Sequence, residues 1–62
     1  MSKLKESRLA QGLTVAQLAE LSKVSARTIQ KYESGEINIE KAAVGNMLAL
    51  AEVLKVEIKD LI

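Results

Sequence analysis

The chain lacks cysteine and histidine altogether. A disulfide is therefore impossible, and without these two ligands we expect no zinc or iron site, no other metal and no cofactor. Phenylalanine and tryptophan are also missing and there is one tyrosine, so the core of these 62 residues must be aliphatic. The longest apolar stretch, residues 47–51, is far too short to cross a membrane, and no signal peptide opens the chain. We therefore expect a single domain over residues 1–62, in the cytoplasm and without a membrane partner.

Proline is absent as well, and no segment alternates between apolar and polar residues like a strand. We therefore predict an all-α fold, a compact five-helix bundle. Its first helix is predicted over residues 3–11. A fourth helix is predicted from an N-cap at Asn38 to Leu54, and a short fifth from Ile58 to Ile62. The fourth helix has apolar residues at the spacing of a core stripe: Ile39, Ala43, Met47, Leu50 and Leu54, widened by Val44, Leu48 and Ala51.

Two shorter helices are predicted between these segments, over residues 14–35. Thr14 and Gln17 have the spacing of a capping box, in which each side chain satisfies the other residue's backbone amide. Ser25 is a second N-cap candidate, and Gly35 stands where a helix most easily ends in a left-handed residue. Only residues 22–24 separate the two helices, so they must turn sharply against each other, as in a helix-turn-helix. The first of the two is expected to bury Leu18, Ala19 and Leu21.

The second of these helices has one apolar and one polar face. Ile29 and Tyr32 share the apolar face by their i, i+3 spacing, with Glu33 beside them. The opposite face has no acid and consists of Ala26, Arg27, Gln30, Lys31 and Ser34, with Thr28 at its edge. Its donors can reach both the phosphates and the base edges of DNA. The alternative interpretation is an ordinary solvated helix surface.

Charge is divided unevenly along the chain, although the formal net charge is only +1. Residues 1–32 hold six basic side chains against two acidic ones, whereas residues 33–62 hold three against six. A chain with a basic and an acidic half can present a locally positive face despite a near-neutral total. The charge distribution therefore supports a nucleic-acid partner.

Catalysis has little support in the sequence. Without histidine and cysteine, the commonest general base and the most reactive nucleophile are missing, and no glycine-rich loop could cradle a phosphate. Ser, Lys and Glu occur only where helix caps and surface charges are expected. We therefore predict that the chain is not an enzyme.

Residues 4–62 resemble the phage repressor and Cro-type (XRE-type) helix-turn-helix family. The resemblance rests on four segments in order: LKESRLAQGLT, QLAEL, VSARTIQKYESG and LALAEVLKVEIKDLI. It implies the fold of a phage-repressor DNA-binding domain, whose second and third helices form the helix-turn-helix. It also implies a structural ion pair between Arg8 on the first helix and Glu33 on the third. The positions that it places toward the major groove are Ala26, Arg27, Gln30 and Lys31.

Five positions depart from the family's usual pattern, the first being Ser7, which stands where a core leucine is common. Val15 replaces a glutamine that often contacts phosphate, and Ala26 replaces a common glutamine or arginine. Lys23 holds a turn position often taken by glycine, so we expect it to adopt positive φ at a cost of roughly 1 kcal/mol. Lys55 stands where a C-capping glycine is common.

A group of apolar residues occupies the regions where the resembling proteins commonly dimerise, the loop after the third helix and the carboxy end: Ile37, Ile39, Val56, Ile58 and Ile62. One interpretation is that they only cap the small core. The other is that they form a self-complementary patch for a two-fold homodimer. Such a dimer would place two copies of the third helix about one DNA turn apart, roughly 34 Å.

The leading hypothesis is a sequence-specific transcriptional regulator that binds double-stranded DNA as a homodimer. Arg27 and Gln30 are the expected base readers, followed by Lys31, while Ala26 can contact a thymine methyl group. The alternative is a protein-interaction module on the same fold with weak or no DNA binding. The starting methionine favours a complete small protein, and a domain of a longer regulator is the other possibility.

Phosphate contacts are expected at the beginnings of the two motif helices. Lys23 supplies a cation in the turn between them. Thr14, Gln17 and Ser25 are expected to act as caps, and the backbone amides that they organise can donate to phosphates.

Overall fold

Four α-helices and two single 3₁₀ turns make up residues 2–62, the part of the chain that the computed structural model describes. The helices are α1 (Lys3–Ala10), α2 (Val15–Ser22), α3 (Ala26–Ser34) and α4 (Val44–Leu54). The turns span Ile39–Lys41 and Ile58–Asp60. Residues 2–62 contain no strand, so the all-α prediction is confirmed, whereas the predicted count of five helices is wrong.

Side-chain caps begin the first three helices. Ser2 Oγ accepts from the Lys5 amide at 3.1 Å at the start of α1. The predicted capping box of α2 is present, since Thr14 Oγ1 accepts from the Gln17 amide at 3.0 Å and Gln17 Oε1 accepts from the Thr14 amide at 2.8 Å. Ser25 caps α3 through one bond, in which its Oγ accepts from the Thr28 amide at 3.1 Å. These ends are therefore set by residues within four positions of each other along the chain.

The predicted fourth helix is interrupted. Asn38 does act as a cap, with its Oδ1 accepting from the Glu40 amide at 3.0 Å, but it starts only the first 3₁₀ turn. Ala42 and Ala43 then adopt extended backbone with ψ of 155° and 137°, and α4 begins at Val44. Alanine has the highest helix propensity, so packing rather than local preference separates the turn from the helix. Ala43 consequently lies exposed instead of continuing the core stripe.

The predicted fifth helix is also shorter than expected, a 3₁₀ turn over Ile58–Asp60 that Asp60 stabilises by accepting from the Glu57 amide at 3.0 Å. The turn carries Leu61 into the core, where its side chain is fully buried. The turn packs against α4, so the carboxy end covers the core beside that helix.

One cluster of buried side chains, all aliphatic or Met except Tyr32, joins all four helices to the carboxy end. Its largest fully buried members are Leu4, Leu18, Ile29, Leu50, Leu54 and Leu61. Helix α2 packs against both α3 and α4, and α1 packs against α3. No helix in residues 2–62 has the length and apolar character needed to cross a membrane.

Besides Ala43, three residues expected in the core lie outside it. Leu21 on α2 keeps 58% of its surface exposed, and Val44 and Leu48 on α4 are exposed as well. The inward face of α2 runs through Leu18 and Ser22, which are four residues apart, so Leu21 is turned toward solvent. Ala51 is buried as predicted.

Two lysines adopt left-handed backbone at the ends of helices. Lys23 follows α2 with φ 65°, as expected from its turn position, and Lys55 follows α4 with φ 60°. A residue with a Cβ pays roughly 1–2 kcal/mol for this conformation, which glycine adopts freely. Both helix ends therefore carry local strain.

Lys55→Gly should raise the free energy of unfolding by about 1 kcal/mol relative to Lys55→Ala, because only glycine removes the strain at φ 60°. The alanine variant is the matched control, since both variants delete the same exposed amine. Chemical denaturation of the three proteins measures the difference. Equal stability of the glycine and alanine variants would contradict a strained backbone at Lys55.

Candidate nucleic-acid interface

Backbone conformation, burial and side-chain hydrogen bonds together stabilise the turn between α2 and α3. Lys23 reverses the chain through its left-handed backbone, and Val24 enters the core immediately afterwards. The buried Ser22 hydroxyl accepts from the Val24 amide at 3.2 Å. Because Ser25 then caps α3, every residue between the two helices has a structural role. The two helices are thereby fixed at one angle to each other, as a helix-turn-helix requires.

The inward face of α3 determines which residues it shows to solvent. Ile29 is fully buried and Tyr32 nearly so. The Tyr32 hydroxyl accepts from Asn46 Nδ2 on α4 at 3.1 Å, which fixes the roll of the helix. Arg27 and Gln30 consequently project into solvent on the opposite face. The polar face predicted from the spacing is therefore the exposed face of the folded domain.

Arg8 and Glu33 lie in direct contact, each with 9% of its side chain exposed. The guanidinium donates from Nε to Glu33 Oε2 at 2.8 Å and from Nη2 to Oε1 at 3.0 Å, a bidentate arrangement. Its hydrogen bond to Glu33 raises the pKa of the Arg8 guanidinium above its ordinary value, against the opposing effect of burial. The pair joins α1 to α3.

The same guanidinium also fixes the backbone just before α2. Arg8 Nη1 donates to the Leu13 carbonyl at 2.8 Å, immediately before the capping box. The position of α2 relative to α3 is therefore linked to α1 through one side chain. Because Arg8 is buried and fully paired, it adds nothing to the positive surface of the protein.

Arg27 and Gln30 are the two long polar side chains on the exposed face of α3 that make no hydrogen bond or ion pair within residues 2–62. Their positions i and i+3 place them side by side on the helix surface. Arginine can grip a guanine through two hydrogen bonds and glutamine an adenine in the same way. This free pair is the chemical centre of the candidate interface.

The other residues predicted on this face are more constrained. Lys31 Nζ lies 3.5 Å from Glu36 Oε2, and Ser34 Oγ donates to the Lys31 carbonyl at 3.2 Å. Thr28 Oγ1 accepts from the Ser25 hydroxyl at 3.0 Å. Ala26 is half-buried at the start of the helix, which limits it to an apolar contact.

The residues predicted to contact phosphate surround the starts of α2 and α3. Thr14 and Gln17 are exposed and use polar atoms for the capping box, and Ser25 is exposed and caps α3. Lys23 is exposed in the turn between them. The first-turn amides of α3 therefore begin three residues after a cation, a combination suited to a phosphate, whereas Lys23 lies at the opposite end of α2 from the capping box.

The apolar residues proposed for dimerisation differ in exposure. Ile37 is 37% and Ile62 44% exposed, whereas Ile39, Val56 and Ile58 are partly buried against the core. Ile37, Ile39 and Ile62 line an open groove of about 560 Å³ beside the end of α3. Ile39, Ile58 and Ile62 line an adjoining hollow of about 160 Å³. The structure thus brings four of the five together, and Val56 lines neither hollow.

Sequence reasoning missed the acid that faces the polar side of α3. Glu36 lies five residues after Lys31 and beyond the helix end, so no helical spacing relates the two. It also missed two polar contacts with α4, from Asn46 to Tyr32 and from Gln11 Nε2 to the Leu54 carbonyl at 3.2 Å. The acidic residues of the loop sequence GEINIE were the only feature of the sequence that could have indicated an acid near the end of α3.

No cluster of acidic side chains within residues 2–62 has the geometry of a metal site. A family model described as helix-turn-helix matches residues 4–61, nearly the whole chain. No curated protein and no solved structure matches the chain significantly.

Proposed function

Because the chain belongs to the XRE-type helix-turn-helix family of DNA-binding domains, we propose that it is a sequence-specific transcriptional regulator of double-stranded DNA. The observation that carries the proposal is the exposed face of α3, where Arg27 and Gln30 project without partners in residues 2–62. An α-helix fits the major groove, where each base pair presents a distinct pattern of donors and acceptors. Helix α3 is the recognition helix in this proposal.

Each exposed residue of α3 has a contact that suits its chemistry. Arg27 would donate to O6 and N7 of a guanine, and Gln30 would pair with N6 and N7 of an adenine. Ala26 would touch a thymine methyl group, since it has no polar side-chain atom. Lys23 would contact a phosphate and set the position of the helix without reading sequence. We assign Lys31 to a phosphate as well, rather than to the base edge expected from the sequence, because it lies in the last turn of α3 with its amine 3.5 Å from Glu36 Oε2.

Binding should depend on salt, but less steeply than for strongly basic DNA-binding proteins. The positive groups of the basic half that remain after Arg8 pairs with Glu33 are Lys3, Lys5, Lys23, Arg27 and Lys31. Each phosphate contact that releases counterions contributes about 0.9 to the slope of log K against log salt. Because each subunit makes few phosphate contacts, base contacts should supply a large share of the affinity for the operator.

We also propose that the protein acts as a homodimer on an inverted repeat. Ile37, Ile39 and Ile62 form an apolar patch in a groove that polar residues such as Lys3 and Glu33 also line, next to the end of the recognition helix. A two-fold contact through this patch would bury apolar surface on both copies at once. It would also place the two recognition helices on the same side of the DNA, about one turn apart at roughly 34 Å.

Ile62→Lys should shift the protein from dimer to monomer and weaken binding to an inverted repeat, because it places a charge in the apolar patch. Sedimentation equilibrium at micromolar concentration measures the first effect and a gel-shift titration the second. Leu9→Lys is the matched control, since it changes an exposed leucine on α1 that lies outside the patch. A mass unchanged from wild type in the Ile62 variant would contradict this interface.

A protein-interaction module is the second candidate function. Exposed apolar side chains that line neither hollow of the proposed dimer patch favour it, namely Leu9, Leu21 and Leu48. Isolated exposed leucines are common on monomeric proteins, so they weigh less than the free polar face of α3. A complex with a partner protein that forms without dimerisation and without low salt would favour this second function.

The test of the main proposal is selection of bound duplexes from a random-sequence pool at near-physiological salt, followed by sequencing. We expect an enriched inverted repeat whose half-sites are about one helical turn apart. The folded protein with weak, salt-sensitive retention and no enriched sequence would contradict a sequence-specific regulator and favour the second function.

A further inference from the structure

Glu36 sits directly after the recognition helix and reaches back to it. Its Oε2 lies 3.5 Å from Lys31 Nζ. The loop backbone determines this position, since the Ile37 amide donates to the Lys31 carbonyl at 3.2 Å and the Glu36 amide donates to Ser34 Oγ at 3.3 Å. Left-handed Gly35 makes the reversal possible. The backbone of Glu36 is therefore held near Lys31 whether or not the ion pair forms, which keeps its carboxylate within reach of the amine.

The ion pair itself is exposed, with 40% of the Lys31 and 64% of the Glu36 side chain accessible. Exposed pairs of this kind contribute little to folding stability because water and salt screen them. Helix α3 has only two basic side chains, Arg27 and Lys31, and Glu36 faces one of them. The consequence of the pair is thus found in binding rather than in folding.

Resting on the proposed function, we propose that Glu36 competes with DNA phosphate for Lys31 and so lowers the affinity of the protein for every duplex. If Lys31 moves to a phosphate, it leaves a carboxylate unpaired beside a polyanion. If Lys31 stays with Glu36, the pair brings no net charge to the interface. In both cases the recognition helix offers about one positive charge fewer than its sequence suggests.

The competition acts on charge and leaves base reading unchanged. Neither Arg27 nor Gln30 forms a hydrogen bond or ion pair with Glu36, whose partners within residues 2–62 are Lys31 and Ser34. Non-specific binding depends almost entirely on cations that displace counterions, so a protein with few cations is sensitive to the loss of one. Glu36 therefore keeps the protein from accumulating on DNA of arbitrary sequence.

The test compares wild type with Glu36→Gln on a random-sequence duplex over a range of salt concentrations. Glutamine keeps the size of the side chain and the backbone contacts of the loop. We expect about fivefold tighter binding by the variant at low salt, the effect of one unit charge at about 4 Å in water. The salt slope should steepen by about 0.9, one additional released counterion. Glu52→Gln is the matched control, an exposed acid on α4 with the same charge change.

A double-mutant cycle with Lys31→Gln separates competition from general repulsion. If Glu36 acts through Lys31, the gain from Glu36→Gln should fall in the Lys31→Gln background to the level of the Glu52 control. A gain of equal size in both backgrounds would overturn the competition. Unchanged affinity of Glu36→Gln, in a protein that binds DNA, would overturn this inference and leave the proposed function intact. Failure of both wild type and Glu36→Gln to bind any duplex would overturn both.

Discussion

Glu33→Leu should destabilise the fold by about 3–5 kcal/mol, because it leaves the Arg8 guanidinium buried without a counter-charge. Arg8 has lost nearly all its water in the folded protein, and Glu33 accepts two of its three hydrogen bonds. At roughly 0.05–0.15 kcal/mol per residue, a chain of this size has a total stability of about 3–9 kcal/mol. The single substitution therefore removes a large part of it. Thermal and chemical unfolding followed by circular dichroism measure the loss.

The double variant Arg8→Met, Glu33→Leu is the informative control. It removes both charges, and a well-packed apolar pair of similar volume is often as stable as a buried ion pair. We expect it to regain most of the loss but to stay about 1 kcal/mol below wild type, since the Leu13 carbonyl loses its donor. Lys59→Met, which breaks an exposed pair with Glu57, should change stability by less than about 0.5 kcal/mol. A Glu33→Leu variant as stable as this surface control would contradict the role given to the pair.

The pH dependence of the Arg8 contribution follows from its raised pKa. A group whose pKa is higher in the folded than in the unfolded state stabilises the fold fully below the unfolded value. That stabilisation is lost only as the pH rises through the folded value, which for arginine lies in strong alkali. Arg8 should therefore contribute no alkaline loss of stability between neutral pH and moderately alkaline pH.

The helix-turn-helix could be predicted from the sequence because local interactions determine its ends. The capping box of Thr14 and Gln17, the cap at Ser25 and the left-handed Gly35 each connect residues within four positions of each other. Such interactions have the same partners in an isolated segment and in the folded chain. The predicted bounds of α3 therefore agree with the structure, and the end of α2 differs by one residue, since Ser22 belongs to the helix rather than to the turn.

The second half of the chain was predicted less well because tertiary packing decides its structure. Ala42 and Ala43 have high helix propensity and are nevertheless extended, which turns one long predicted helix into a 3₁₀ turn and α4. The side chain that closes the core is Leu61, at the end of a 3₁₀ turn rather than on the face of a helix. Helical periodicity has no information about either feature.

In the candidate interface, too, local features could be predicted from the sequence and contacts between segments could not. Spacing alone indicated that Arg27 and Gln30 share the face opposite Ile29, and the structure exposes both of them. Spacing could not indicate that Glu36 approaches Lys31, because the chain reverses at Gly35 between the two residues. Residues on one helix can therefore be grouped from sequence, whereas contacts across a turn need the backbone path.

Arg27→Ala should weaken binding to the selected operator by about 1–3 kcal/mol and relax the preference at one base pair, if Arg27 grips a guanine. The side chain is exposed and makes no hydrogen bond or ion pair within residues 2–62, so the substitution should leave folding stability nearly unchanged. Selection from the random pool should then return the same half-site, but with the four bases about equally frequent at one position. Gln30→Ala should equalise a different position, since glutamine suits adenine rather than guanine.

Arg27→Lys separates base reading from phosphate contact, because lysine keeps the positive charge but cannot form the planar two-donor grip. If Arg27 reads a guanine, the lysine variant should lose selectivity at the same base pair as the alanine variant while keeping the salt slope of wild type. If Arg27 contacts only phosphate, the lysine variant should bind like wild type, and Arg27→Ala should weaken all duplexes alike and reduce the slope by about 0.9. Lys23→Ala supplies the reference for this second pattern, since it removes an exposed cation in the turn. Sequence selectivity and salt slope, measured together on these variants, thus distinguish a base contact from a phosphate contact at Arg27.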